Sequence, residues 1–276
     1  MIIGAITNSW AVQLDGDNLQ NLVHEAKIRG SKHVELRQTF LGNCESGIGG
    51  EWRPVMANLK SLVELCPDIS FNLAMALPFL SGEVSPGDEL FKQTIEAAKV
   101  VGRNAPHLRL VDPTPQEKDW ENHCDIPEEA FSLVCLVEMA VARGVTVSVE
   151  NSGQSVGALT MLVNNCREQL SEGERGFLGL CVDPANQIRN QPMTDALADL
   201  ESLPIDMLKI VHFKQSRGGR PISTVADGDL DCSRMVSILE SKGYNGPAIF
   251  EIPSHEDVFN NLSASFSYIE AIAGIS

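Results

Sequence analysis

Positive charge is scarce in this chain of 276 residues: 21 Lys and Arg face 37 Asp and Glu, a formal net charge of −16. Such a balance argues against nucleic acid or anionic lipid as partners held by charge. Long apolar runs are missing too. None approaches ~18 residues, so no membrane-spanning helix is expected. The opening Met1-Ile2-Ile3-Gly4-Ala5-Ile6 has no basic flank and soon turns polar, unlike a secretion signal. The seven cysteines are odd in number and scattered, with no C-x-x-C pair. That argues against a disulfide framework or a zinc knuckle and fits a reducing, cytoplasmic setting. Neither a Walker lysine loop nor a dinucleotide glycine fingerprint occurs. The loop 152–157 lacks both and reads as a helix cap. No Pro-, Gly- or Ser-rich linker divides the chain, so residues 1–276 read as one domain.

Hydrophobic residues make up 43% of the chain, enough for a sizeable core. Strands are expected at 2–6, 33–36, 69–75, 108–111, 145–149, 177–182, 207–213 and 248–252. Helices are expected at 18–29, 53–65, 87–101, 127–143, 156–170, 194–203, 232–242 and 258–273. The helices carry apolar residues at helical spacing, as in Leu133, Leu136, Val137 and Ala140. Gly30, Gly102, Gly144 and Gly243 fit left-handed C-caps. Alternating strands and helices imply a parallel sheet. Eight such units give the α/β fold class and a single (β/α)8 TIM barrel, with its site at the C-terminal strand ends.

Each of the last four strands ends on a metal-capable side chain: Glu150, Asp183, His212 and Glu251. Strand alternation places Glu150 on one face with Ser148, Asp183 with Cys181, and His212 with Ile210. A lone strand histidine is more often a packed core residue, and a lone Glu a solvated rim residue. The joint event differs, because burying three carboxylates without a cation costs several kcal/mol per charge. Three carboxylates and one imidazole make a hard, oxygen-rich site. It suits one divalent ion, Mn²⁺ or Mg²⁺ first, with Co²⁺ or Zn²⁺ as alternatives.

Cations gather near the same strand ends: Arg37 two residues after Glu35, Arg109 on strand four, Lys214 two after His212, and Arg217 and Arg220 in the next loop. They imply a carboxylate or phosphate on the substrate; the alternative is that they neutralise the neighbouring acids. Trp10 and Trp52 are candidates for stacking on a sugar or for packing. Asn8 and Asn72 are candidates for lining the pocket.

The order Glu, Asp, His, Glu on strands five to eight resembles the xylose-isomerase-like barrel superfamily. That group spans sugar epimerases, hydroxypyruvate and inosose isomerases, inosose and dehydroshikimate dehydratases, and the endonuclease IV type of nuclease. The matching stretches are Ser148-Val149-Glu150-Asn151, Cys181-Val182-Asp183-Pro184, Val211-His212-Phe213-Lys214 and Phe250-Glu251-Ile252-Pro253. Glu35 matches a strand-two acid of these barrels, and Arg217 an arginine near metal and substrate. Gly228-Asp229-Leu230-Asp231 matches the turn that opens helix seven.

The resemblance implies that Glu150, Asp183, His212 and Glu251 bind the metal and that Glu150 and Glu251 are the catalytic bases. Arg217, Asn186, Lys214, Arg109, Glu35, Arg37 and His107 would contact substrate. The implied activity is isomerisation or epimerisation of a sugar, sugar acid or related polyol by proton transfer through an enediolate. Dehydration of an inosose- or dehydroshikimate-like substrate on the same site is the alternative. A nuclease would need further histidines, one at the position of Asn186, which His33 and His107 do not supply. A non-catalytic barrel and a glycosidase are the remaining readings; a glycosidase needs no His and Asp on the intervening strands. Two positions depart from the epimerase pattern: Asn186 stands for a histidine, and Gln215 for an acid. The expected partner is a small carbohydrate or sugar acid, without nucleic acid or membrane, and a homo-oligomer is compatible with it.

Overall fold

The computed structural model describes residues 1–114, 119–191 and 194–274. Eight parallel strands close on themselves: β1 (Ile2–Ile6), β2 (His33–Arg37), β3 (Ser70–Ala76), β4 (His107–Val111), β5 (Thr146–Glu150), β6 (Leu178–Val182), β7 (Leu208–Phe213) and β8 (Pro247–Phe250). Each pairs with its neighbours in sequence, and β1 pairs with β8 to complete the cylinder. The helices between them are α1 (Leu19–Ile28), α2 (Met56–Leu65), α3 (Glu89–Gly102), α4 (Leu133–Val141), α5 (Val156–Gln169), α6 (Pro184–Asn190), α7 (Ala196–Ser202), α8 (Cys232–Ser241) and α9 (Val258–Ile272). Their apolar faces and the outward strand residues form one continuous core, including Leu22, Leu59, Phe91, Leu136, Leu162 and Phe266. This is how a parallel sheet covers its outer face. Among the described residues no helix is long and apolar enough to cross a membrane.

The inside of the barrel is divided. On the side of β1, β6, β7 and β8, Ile6, Cys181, Ile210 and Ile249 pack together as a small apolar plug. Two residues further along each chain stand Asn8, Asp183, His212 and Glu251, so strand alternation carries the last three from the plug to the mouth. On the side of β2 to β5 the interior is polar, with His33, Glu35, Asn72, Arg109 and Ser148 all buried. Gly179 on β6 is required by a close approach: a Cβ there would stand 2.4 Å from the Met207 carbonyl and 2.7 Å from Lys209 Cγ.

Several elements differ from expectation. Residues 53–54 form a two-residue ribbon with 45–46 before α2 begins at Met56. The expected helix at 127–143 opens as a 3₁₀ segment over Glu128–Ser132. Helix α6 follows β6 directly and was not anticipated. Gly30, Gly144 and Gly243 have positive φ, but after α3 it is Arg103, not Gly102, that turns left-handed, at φ 50°. Its guanidinium donates to the carbonyls of Val63, Cys66 and Pro67. Arg103 thus closes the C-terminus of α2, where a cation is favourable.

Candidate metal centre at the barrel mouth

Glu150 ends β5, and Asp183, His212 and Glu251 follow the same geometry on the next three strands. One ligand atom from each lies within 4.8 Å of all the others, a group that could hold a metal ion. His212 Nδ1 faces Glu251 Oε2 at 3.2 Å, Glu150 Oε1 at 3.5 Å and Asp183 Oδ2 at 3.7 Å. Both ring nitrogens of His212 are buried and make no well-directed hydrogen bond, and the buried Asp183 Oδ2 is met by the Lys214 ammonium at 2.6 Å. Buried polar atoms are nearly always paired; His212 Nδ1, turned to the same point as the three carboxylates, fits a divalent ion there. Cys181 lies below in the plug, and burial pushes its thiol up to about 12. It therefore offers no thiolate.

Each ligand is fixed from behind. Asp183 Oδ1 accepts from the Asn186 backbone N–H at 3.0 Å and caps α6, leaving Oδ2 to the centre. Asn151 bonds the Asp183 backbone in both directions, at 2.7 and 2.8 Å. Asn8 holds Glu251 Oε1 at 2.8 Å, so Oε2 turns inward. Glu150 Oε2 accepts from Arg109 Nη1 at 2.6 Å, and Oε1 accepts from Asn186 Nδ2 at 3.2 Å. Glu35 Oε1 lies 3.3 Å from His212 Nε2, the far side of the ring from the centre. A carboxylate there orients a metal-binding imidazole.

The charges follow. Burial alone would raise Glu35, Glu150 and Glu251. Arg109 and His212 outweigh it at Glu35, holding that carboxyl well below the usual range. Arg109 and Lys214 pull Glu150 down to about 2, and Lys214 with His212 holds Glu251 well below its ordinary value. Burial lowers the His212 pKa, but the ionised Glu35 and Glu150 outweigh it and raise it well above the ordinary value.

The ammonium of Lys214 is in the same space. Its Nζ lies 2.6 Å from Asp183 Oδ2, 2.9 Å from Glu251 Oε2 and 3.7 Å from Glu150 Oε1. Above it opens a cleft of about 240 Å³ lined by Asn8, Asn186, Arg189, Lys214, Glu251 and Ser254 among others. Drug-sized ligands fill roughly 300–1,000 Å³; this cleft suits a molecule the size of a monosaccharide.

A family profile described as xylose isomerase-like TIM barrel matches residues 58–272. The chain belongs to this family. No curated protein matches it. Among solved structures it is similar to one of L-ribulose 3-epimerase, at 15% identity and TM-score 0.70, covering 99% of this chain and 94% of that one. It is similar to the IOLI protein with a bound zinc atom, at 15% identity and TM-score 0.72, covering 99% and 98%. It is also similar to the probable 3-DHS dehydratase AsbF from Bacillus anthracis, at 13% identity and TM-score 0.68, covering 97% and 98%. At these identities the likeness is one of fold.

Within this family fold the remaining candidate residues fall in different places. Asn186 and Lys214 are at the centre. Arg109 and Glu35 are directly beneath it, paired through Nη2 and Oε1 at 2.5 Å. Arg37 is half-buried at the end of β2, its Nη1 donating to the Gln38 carbonyl at 3.2 Å. Burial and the like charge of Arg109 lower its pKa. Arg217 is exposed and donates to the Asp227 carbonyl at 2.7 Å, tying down its own loop. His107 begins β4 at the opposite end of the barrel, where Nε2 meets Ser148 Oγ at 2.8 Å. The structure does not bring it to the mouth, because the first residue of a strand lies at the bottom of a parallel barrel. Asn72 is likewise interior, bonded to His33 and Glu35. Trp10 and Trp52 are fully buried and pack in the core. Arg189 escaped sequence reading. Its signal is its place one helical turn after Asn186, on a helix announced by Asp183-Pro184.

Proposed function

We propose that the protein is a divalent-metal-dependent isomerase or epimerase acting on a small polyhydroxylated carbonyl compound, a sugar, sugar acid or related polyol. The observation that carries this is the convergence of one ligand atom each from Glu150, Asp183, His212 and Glu251 on one point beneath a small cleft. These four would hold the ion. When bound, a divalent ion supplies Lewis acidity that makes a C–H next to a carbonyl easier to deprotonate.

The chain's own groups supply the rest. Glu251 is 19% exposed and lines the cleft. In this reading its Oε1, held by Asn8, takes a proton from bound substrate. Glu150 is 5% exposed and its Oε2 is bound by Arg109. It stays ionised, and it is the second base of the pair only through Oε1. Asn186, Arg189 and Lys214 line the cleft, and as hydrogen-bond donors they suit substrate hydroxyl or carboxylate oxygens.

That inequality favours a second reading on the same centre. Loss of water needs one base, Glu251, and a donor for the leaving hydroxide, for which the Lys214 ammonium is at hand. A dehydratase is therefore the alternative.

Ketoses, uronates and inososes incubated in deuterated water with Mn²⁺ and followed by NMR separate the two. Isomerisation or epimerisation exchanges a C–H without loss of water, and dehydration yields an enone. Glu251→Gln is expected to lower either rate about 10²–10⁴-fold. Asp183→Asn is expected to lose the bound ion, read by elemental analysis of protein purified without chelator. Wild-type protein that holds no divalent ion under any of these conditions overturns the proposal.

A further inference from the structure

The three oxygens that face His212 Nδ1 also face Lys214 Nζ. Asp183 Oδ2, Glu251 Oε2 and Glu150 Oε1 stand 3.7, 3.2 and 3.5 Å from the imidazole nitrogen. They stand 2.6, 2.9 and 3.7 Å from the ammonium. The ammonium is at the focus of the carboxylates and not beside it. Strand alternation explains how it gets there. Lys214 is two residues past His212, on the same face, one step higher, and its flexible stem folds back over the acids. Asn186 Oδ1, at 3.5 Å, is its fourth neighbour. The Asn186 amide accepts from the ammonium through Oδ1 and donates to Glu150 through Nδ2.

A divalent ion would need these same oxygens at roughly 2.0–2.2 Å. Two cations cannot share the point: their mutual repulsion adds to the loss of ligand oxygens. We propose that Lys214 is a built-in counter-ion that a divalent metal must displace, so that loading the ion swings the ammonium into the cleft beside Arg189. Resting on the metal reading above, this adds an exchange of cations to it. It accounts for how three buried carboxylates are tolerated before metal arrives, a state that would otherwise be costly. It also makes the ion a switch for the cleft, which gains a mobile positive charge only in the loaded form. Metal and an anionic substrate then reinforce each other, because each favours the same lysine position.

The test uses the full chain stripped with chelator. Mn²⁺ is titrated calorimetrically into wild type, Lys214→Met and Lys214→Gln, and the thermal midpoints are measured with chelator and with Mn²⁺. If the ammonium fills the site in all but about a tenth of the molecules, apparent affinity is reduced about tenfold, and removing it restores that factor. Both variants are therefore expected to bind Mn²⁺ at least about tenfold more tightly than wild type. They are also expected to melt lower in chelator and to recover when Mn²⁺ is added. A second measurement needs no variant. Reductive methylation of wild type, read by peptide mass spectrometry, is expected to spare Lys214 in chelator and to modify it in Mn²⁺.

Variants that bind Mn²⁺ no tighter than wild type, or a Lys214 reactivity that Mn²⁺ leaves unchanged, overturn the exchange. The metal reading survives that result as long as wild type binds and Asp183→Asn does not. Wild type and both variants failing to bind Mn²⁺, Mg²⁺, Co²⁺ or Zn²⁺ would remove both.

Discussion

Gln215 illustrates how one amide can be a structural requirement next to a reactive centre. Its Nε2 donates to the carbonyls of Ala226 and Leu230 at 2.6 and 2.9 Å, while its Oε1 accepts from the N–H groups of Ser216 and Leu230, each at 3.0 Å. Gly228 makes room for it; a Cβ there would stand 2.5 Å from Gln215 Cδ. A carboxylate has no donor to offer two carbonyls. Gln215→Glu is therefore expected to cost about 1–3 kcal/mol, the range for leaving buried polar groups unpaired. A urea unfolding midpoint displaced downward, with bound metal retained, would show the effect. Asn186 is the complementary case, an amide that spends its donor on Glu150 and its acceptor on Lys214. At both departures from the epimerase pattern the amide has contacts of its own, a matter of neighbours that residue identity alone does not reveal.

At the scale of elements, strand β4 contributes one interior side chain that joins three strands. Arg109 reaches Glu35 on β2 and Glu150 on β5, and all three are buried. Replacing it with methionine leaves two buried carboxylates uncompensated, so Arg109→Met is expected to destabilise by about 3–5 kcal/mol. Adding Glu35→Gln should return part of that loss, which a double-mutant cycle from urea denaturation would measure. The strands and most helices were legible in the sequence, because period-two and helical patterns alternate with glycine breaks. The four centre residues were legible for the same reason: each sits at a strand end, where parity fixes the face. The Glu35–Arg109–Glu150 bridge was not, since it depends on how far apart β2, β4 and β5 stand across the closed barrel. The positive φ of Arg103 was not legible, because the carbonyls that its guanidinium meets at the end of α2 are distant in sequence. Helix α6 was legible after the fact in Asp183-Pro184, an N-cap followed by proline at the first helical position. Reading Asp183 as a candidate ligand left out its second role as the cap of that helix.

Across the whole molecule, the two ends of the barrel respond to acid in different pH ranges. The mouth carries ionised groups in balance, but the bottom holds neutral imidazoles. Burial pushes His107 down to about 3; Glu35 opposes this, while His33, Lys209 and Arg109 reinforce it. Burial also lowers His33, against Asn72 and Glu35. In the unfolded chain both rings take up protons near pH 6.5. Between that value and the depressed folded values the unfolded state binds more protons, so stability falls as pH falls. The carboxylates of Glu35 and Glu150, lowered in the fold, add the same sign only below about pH 4.5. His212, raised in the fold, changes stability only as pH climbs above about 6.5. In the interval from about pH 6.5 to 5 the two bottom histidines therefore dominate, each contributing up to about 1.4 kcal/mol per pH unit, with His212 opposing them only near the upper end. Urea unfolding of metal-stripped protein across that interval is expected to show stability declining toward acid. The slope should be shallower in His107→Gln, whose amide can still meet Ser148 but does not titrate. An identical slope in the variant would mean that the His107 ring is reached by water at the base of the cylinder.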